Sequence, residues 1–391
     1  MNTHTRRPGL GGIGRGVTAA AVGLALTLGL ALSGTPASAS ASASATTTAP
    51  ATCSQVSAGD SDGLEVAYWK QVEDGPLCEA EFTTGALYTP RGPGAPLIDP
   101  VRKPVRVRVL LPADYDPAGG YEVLYLLHGG AADHLQWSSG VDLATTVRES
   151  GFGGIVVMPE GGKVGFYSDW TGHTTGNFAP LWETFHIRQL VPWVDAHLAT
   201  SGRRAVAGMS MGGYGALKYA AQYPELFDAV GSFSGGTDIR RADHQAIVNQ
   251  GTTAYGARFW WHGSGTDLGN YWKYLLPGNP GALERTELVF GPRSTWASFN
   301  PAQVVEDDPA VYRSYAGRLK LYTGRSEDPY EWNEAFDGAL DARSVPHGYC
   351  TGPGGHDFGT WAPALEHFLR FLDGPDSAAV CPAADDWRAG P

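Results

Sequence analysis

Three runs with alternating or β-branched apolar positions open the patterned part of the chain: LEVAYWK from Leu64, AEFTTGALY from Ala80 and VRVRVLLP from Val105. Each is bounded by Gly, Pro or Asp, and a period of two marks a strand. They predict an antiparallel opening. The rhythm then changes to short apolar strands separated by helical stretches. YEVLYLLHGG leads to a helix near VDLATTVRES, and GGIVVMPEGG to a helix through LWETFHIRQLVPWVDAHLAT. RRAVAGMS is followed by a helix from Gly212 to about Gln222, and the late strand LKLYTG precedes the helix in WAPALEHFLRFL. Strands alternating with helices predict an α/β architecture, a mostly parallel central sheet with helices on both faces.

One interval breaks this rhythm. Residues 237–318 are rich in Gly, Pro and aromatic residues and read as an insertion, with Phe259, Trp260, Trp261, Tyr271, Trp272 and Tyr274 as a cap over an apolar pocket or as packing against the sheet. At the other end, Arg6, Arg7 and Arg15 precede the apolar run from Val17 to Leu32 and the small-residue site Ala37-Ser38-Ala39. Residues 1–39 therefore read as a secretory signal and the protein as secreted. That run is shorter than the roughly 20 residues of a membrane-spanning helix, so no stable membrane insertion is expected. Residues 40–52 are a low-complexity Ser/Ala/Thr lead-in, 53–382 a single α/β domain and 383–391 a tail.

An exported chain with an even number of cysteines favours disulfides. Cys53 with Cys78, and Cys350 with Cys381, is the preferred pairing, because each closes a short loop near one end of the domain. The spacings do not suit zinc. GDSDG at residues 59–63 lacks a calcium loop's ligand set and reads as a turn, so no metal and no cofactor is expected. The net charge of −12 arises from 40 acidic and 28 basic residues, which argues against a nucleic-acid partner.

The chemistry centres on G-M-S-M-G around Ser210. The motif alone is weak, but it follows a strand and opens a helix, the strand–turn–helix setting of a nucleophile elbow. Gly208, Gly212 and Gly213 suit so tight a turn. A serine hydroxyl is a poor nucleophile at neutral pH, so it requires a base, an acid to orient that base and donors for an oxyanion. In the order nucleophile, acid, histidine, His356 follows in the glycine-rich loop GPGGHDFGTW. The acid falls within Glu327, Asp328, Glu331, Glu334 and Asp337; Asp328, just past a strand, is the first choice and Glu334 the alternative. The backbone N–H groups of Met211 and of Gly130, in the loop after YLLHGG, are the candidate oxyanion donors. His128, Trp170, Trp260, Trp261 and Phe358 are the expected substrate-binding residues.

VLYLLHGGAADHLQW, IVVMPEGGKVGFYSDW, LWETFHIRQLVPWV, AVAGMSMGGYGALKYAAQYPELF and GGHDFGTW follow one another in an order that resembles the esterase family that includes the antigen 85 mycolyltransferases and esterase D. The resemblance spans roughly Val105 to Leu372. It implies an α/β-hydrolase fold, a Ser–acid–His triad and acyl-ester chemistry through an acyl-enzyme. In the mycolyltransferases the acid is a helical glutamate, which would correspond to Glu334; in esterase D-like members it is a strand-end aspartate, like Asp328. The expected function is a secreted serine esterase acting on a small-molecule, lipid or carbohydrate ester. Acyl transfer to a sugar or glycerol hydroxyl is the alternative, and a non-catalytic binding protein with the same fold a third possibility.

Overall fold

The apolar runs become the centre of a ten-stranded sheet in the computed structural model, which describes residues 51–72, 75–90, 100–171, 179–251, 285–374, 380–383 and 386–390. The strands are β1 (Leu64–Gln71), β2 (Leu77–Thr84), β3 (Tyr88–Pro90), β4 (Pro100–Arg102), β5 (Val105–Leu110), β6 (Tyr121–Leu127), β7 (Ile155–Pro159), β8 (Thr200–Met209), β9 (Ala229–Phe233), β10 (Leu319–Gly324), β11 (Gly348–Gly352) and β12 (Arg388–Ala389). Their order in the main sheet is β1-β2-β5-β7-β6-β8-β9-β10-β11-β12. Antiparallel pairing joins β1, β2, β5 and β7, as the alternating N-terminal runs predict. From β7 through β6, β8, β9 and β10 to β11 every pairing is parallel, and β12 closes the far edge antiparallel. This is the α/β-hydrolase arrangement.

AEFTTGALY is not one strand. The chain turns at Gly85, and β3 leaves the main sheet to pair with β4 alone.

The parallel strands read as continuous apolar runs because both faces are covered. In β6 and β7, Val123, Tyr125, Leu127, Ile155 and Val157 enter one core, while Leu124, Leu126, Val156 and Met158 enter the other with Phe368 and Leu372. Burying each Val, Leu or Ile side chain contributes about 1.5–3 kcal/mol. The amphipathic helix Phe358–Asp373 covers the second face, and the helix Met211–Gln222, buried along nearly its whole length, lies against β8 and β9.

Both expected disulfides are present, Cys53–Cys78 and Cys350–Cys381. Among the described residues no helix is long and apolar enough to cross a membrane, and no side-chain group could hold a metal ion. Among the described residues of the 237–318 interval the chain forms the α-helices Ala242–Gly251, Arg285–Phe290, Pro301–Asp307 and Ala310–Arg313 and a 3-10 helix, Arg293–Ser298. Phe259, Trp260, Trp261, Tyr271, Trp272 and Tyr274 lie outside the described residues, as does the expected signal segment.

Candidate active site

Parallel strands deliver their C-terminal ends to one edge of the sheet, where open α/β folds place their ligands. Ser210 stands between the end of β8 and the helix Met211–Gln222 with φ 53° and ψ −116°, a conformation that few non-glycine residues adopt. Tight glycine packing enforces it. A Cβ on Gly212 would lie 2.4 Å from the Leu127 carbonyl oxygen, and one on Gly208 would lie 2.5 Å from the Gly212 backbone. The Ser210 N–H donates to the Phe233 carbonyl (2.8 Å), anchoring the turn to the neighbouring strand. Its hydroxyl caps nothing in the helix and instead meets His356 Nε2 at 2.8 Å.

His356 Nδ1 lies 2.6 Å from Glu327 Oε2, and Trp361 packs edge-on against the imidazole at 5.0 Å. The Glu327 carboxylate is fully buried, whereas the His356 ring is 39% exposed. The other carboxylate oxygen, Oε1, accepts from the Gly324 N–H (2.7 Å) and the Ser234 hydroxyl (2.6 Å). Ser234 Oγ in turn accepts from Trp361 Nε1 at 3.0 Å.

The acid expected at Asp328, or alternatively at Glu334, is therefore corrected: Glu327 is the carboxylate that meets His356. Glu327 folds back onto the last N–H of β10, and the next residue points the other way. Asp328 is exposed, and Pro329 follows it at the start of the helix Tyr330–Ala342. Glu334 lies on the exposed face of that helix, within reach of the Tyr330 hydroxyl. Ser234 and Trp361 complete this seat although the sequence reading assigned them no role. The signal for Ser234 was its place at the end of the strand run AVGSF.

Oxyanion donors require free amides. In the loop after β6, Gly129 N–H donates to Gln136 Oε1 and Ala131 N–H to the Lys163 carbonyl, both at 2.7 Å. The Gly130 N–H between them makes no hydrogen bond among the described residues. Met211 opens the helix, where the first-turn N–H groups lack intrahelical partners.

An apolar pocket of about 500 Å³ opens beside these groups. Its lining includes Gly130, Met211, Phe166, Trp332, Ser210 and His356. His244 also borders it, stacked on Trp332 at 5.5 Å; burial pushes its pKa down to about 4 against the hydrogen bond from Nδ1–H to the Asp238 carbonyl, so the ring is neutral.

The expected substrate-binding residues fare differently. His128 does not face the pocket: it is buried, its Nδ1–H donates to the Gly129 carbonyl, and Nε2 accepts from the Gly161 N–H. It ties the end of β6 to the loop after β7 and so shapes the Gly129–Gly130 turn. Trp170 is buried with its Nε1–H on the Gly165 carbonyl. Phe358 packs against Trp137 and Trp361, in a space that only a glycine at Gly140 leaves open. Neither borders the described pocket. Trp260 and Trp261 lie outside the described residues.

A family model described as "Putative esterase" matches residues 100–372, which hold this whole site. The chain belongs to that esterase family. It is 35% identical over 268 residues to Esterase Rv1288 of Mycobacterium tuberculosis, an alignment covering 64% of this chain and 52% of that protein. The matched region is thus about half the relative's length. A diacylglycerol acyltransferase/mycolyltransferase, Ag85C of Mycobacterium avium, is 35% identical over 123 residues, 30% of this chain and 34% of its own. Among solved structures, Mycobacterium tuberculosis MPT51 superposes with a TM-score of 0.50 at 20% identity, covering 74% of this chain and 99% of that one. A ferulic acid esterase superposes at 0.52 and 20% identity, covering 76% and 96%. At such identities the superpositions establish the α/β-hydrolase fold and no more.

Proposed function

We propose that this esterase-family chain is a serine carboxylesterase that works through an acyl-enzyme on Ser210. The observation that carries the reading is the continuous hydrogen-bonded line from Ser210 Oγ through His356 to a buried Glu327, at the mouth of an apolar pocket. His356 Nε2 takes the serine proton as Oγ attacks the ester carbonyl. Glu327 holds the ring in the Nδ1–H tautomer and stabilises the imidazolium. The Gly130 and Met211 N–H groups receive the oxyanion, each such donor being worth about 3 kcal/mol in the transition state. His356 then protonates the departing alcohol, and water, deprotonated by the same imidazole, releases the acid and restores Ser210. An uncharged, apolar acyl group suits the pocket walls.

Similarity to the antigen 85 acyltransferases favours one second reading: a sugar or glycerol hydroxyl replaces water in the last step. Export by a cleaved N-terminal segment accompanies both readings, and two disulfides support it.

The test combines p-nitrophenyl esters of graded chain length with a fluorophosphonate probe. Wild type should release p-nitrophenol and carry a phosphonyl adduct on Ser210, and Ser210→Ala should do neither while keeping its unfolding midpoint. Turnover by Ser210→Ala would overturn the acyl-enzyme reading. Adding glycerol or a disaccharide tells water from alcohol: new ester product at the expense of free acid marks transfer.

A further inference from the structure

Glu327 sits in a turn whose second residue, Arg325, spends its guanidinium on carbonyl groups. Nη1 donates to the Thr351 carbonyl (2.8 Å) and Thr351 Oγ1 (3.3 Å), and Nη2 donates to the Asp386 carbonyl (2.9 Å). No carboxylate pairs with it among the described residues. The rigid planar fork is therefore used as a bracket between elements. One arm grips β11, the strand that runs into the His356 loop. The other grips Asp386 in the C-terminal residues described at 380–383 and 386–390, where the Cys350–Cys381 disulfide joins Cys381 to β11 and Ala389 and Arg388 pair with it. Trp387 of the same segment lies over Gly352, where an added Cβ would stand 2.6 Å from its ring. The backbone continues the bracket: Arg325 N–H donates to the Gly352 carbonyl and Ser326 N–H to that of Gly354, two residues before His356.

We propose that Arg325 is a positioning residue for the Glu327–His356 pair, and that residues Asp386–Ala389 supply half of its seat. The inference rests on the serine-esterase reading. A displacement of about 1 Å between acid and imidazole costs up to a hundredfold in rate. Apart from His356, Pro329 and Trp332, the ester pocket is lined by other elements, among them Gly130, Phe166 and Met211, which Arg325 does not contact.

The experiment measures kcat, KM and thermal midpoint for Arg325→Ala, Arg325→Lys and Trp387→Ala on one p-nitrophenyl ester, with Ser210→Ala in parallel. Arg325→Ala should lose about tenfold to a hundredfold in kcat at unchanged KM. Lysine, lacking the fork, should not restore it, and added guanidinium ion should restore part of it. Trp387→Ala and the double variant Cys350→Ser/Cys381→Ser, which change the seat and leave Arg325 and Glu327 themselves intact, should show the same kcat-specific loss, which also covers an Arg325 variant that fails to fold. Wild-type kcat in these variants, or a KM rise matching any fall, overturns the proposal. Activity in Ser210→Ala overturns the esterase reading instead.

Discussion

At the scale of single residues, the identity of the acid decides how His356 is held. Glu327 Oε2 is the atom at 2.6 Å from His356 Nδ1, while Oε1 is saturated by Gly324 and Ser234. Glu327→Gln keeps the shape but presents an amide that supports the wrong imidazole tautomer, and kcat should fall by about 10³–10⁴-fold. Asp328→Asn and Glu334→Gln, both at exposed positions, should stay near the wild-type rate. Steady-state kinetics on the three variants checks the assignment, and a loss confined to Asp328→Asn would reverse it. Ser210 and His356 were legible in the sequence because each stands in a loop whose glycines announce a tight backbone. The acid was not, because five carboxylates lie between Glu327 and Asp337. Which of them faces the imidazole depends on a turn set by the Gly324 N–H and by Pro329, and adjacent residues in that turn point in opposite directions. His128 misled for a related reason: a strand-end histidine beside Gly129 and Gly130 suggests a substrate contact, yet both ring nitrogens are used on backbone.

Among elements, the elbow depends on the close approach of the helix Met211–Gln222 to the end of β6. The Cβ of a residue at Gly212 would meet two carbonyl oxygens, of Leu127 at 2.4 Å and His128 at 2.7 Å. Backbone atoms cannot rotate aside, so Gly212→Ala must push the helix outward and carry the Met211 N–H and Ser210 with it. Overpacking of this kind costs about 3 kcal/mol. A chemical-denaturation midpoint should fall accordingly, with kcat dropping further than KM changes; an unchanged midpoint would mean that the elbow yields easily. Strand–helix alternation made this part of the fold readable, since buried parallel strands need apolar residues on both faces. Less legible was the stretch from Ala80 to Tyr88, where the local alternation continues across a turn that only pairing between β3 and β4 reveals. The helix expected through LWETFHIRQLVPWVDAHLAT is present but, after residues 182–183, runs as a π-helical stretch, Thr184–Leu190, before Val191–His197, a change of winding that side-chain periodicity does not register.

For the molecule as a whole, buried histidines set how stability depends on pH. Burial lowers the pKa of His128, pushes that of His186 down to about 3 against its hydrogen bond to the Glu160 carbonyl, and pushes that of His244 down to about 4. Each stays neutral in the fold but takes up a proton once unfolded below about pH 6.5. The unfolded state then binds more protons, so stability falls as pH falls from about 6.5 towards the folded values, by about 1.4 kcal/mol per pH unit for each proton. His347 acts in the opposite sense. Burial opposes its charge, but hydrogen bonds to Asp337 and the Val345 carbonyl outweigh it and raise the pKa, so its contribution is full below about pH 6.5 and is lost as pH rises through the folded value. The two effects therefore oppose each other in sign: the buried neutral rings lose stability below about pH 6.5, and His347 loses it as pH rises above that value. Urea unfolding between about pH 6.5 and 4.5 should give a slope close to two protons at its midpoint from His186 and His244, with His128 adding in the same direction, before most carboxylates titrate. His186→Gln and His244→Gln should each reduce that slope by about one proton, whatever they do to absolute stability. A slope unchanged by both substitutions would mean that these rings are protonated inside the folded protein.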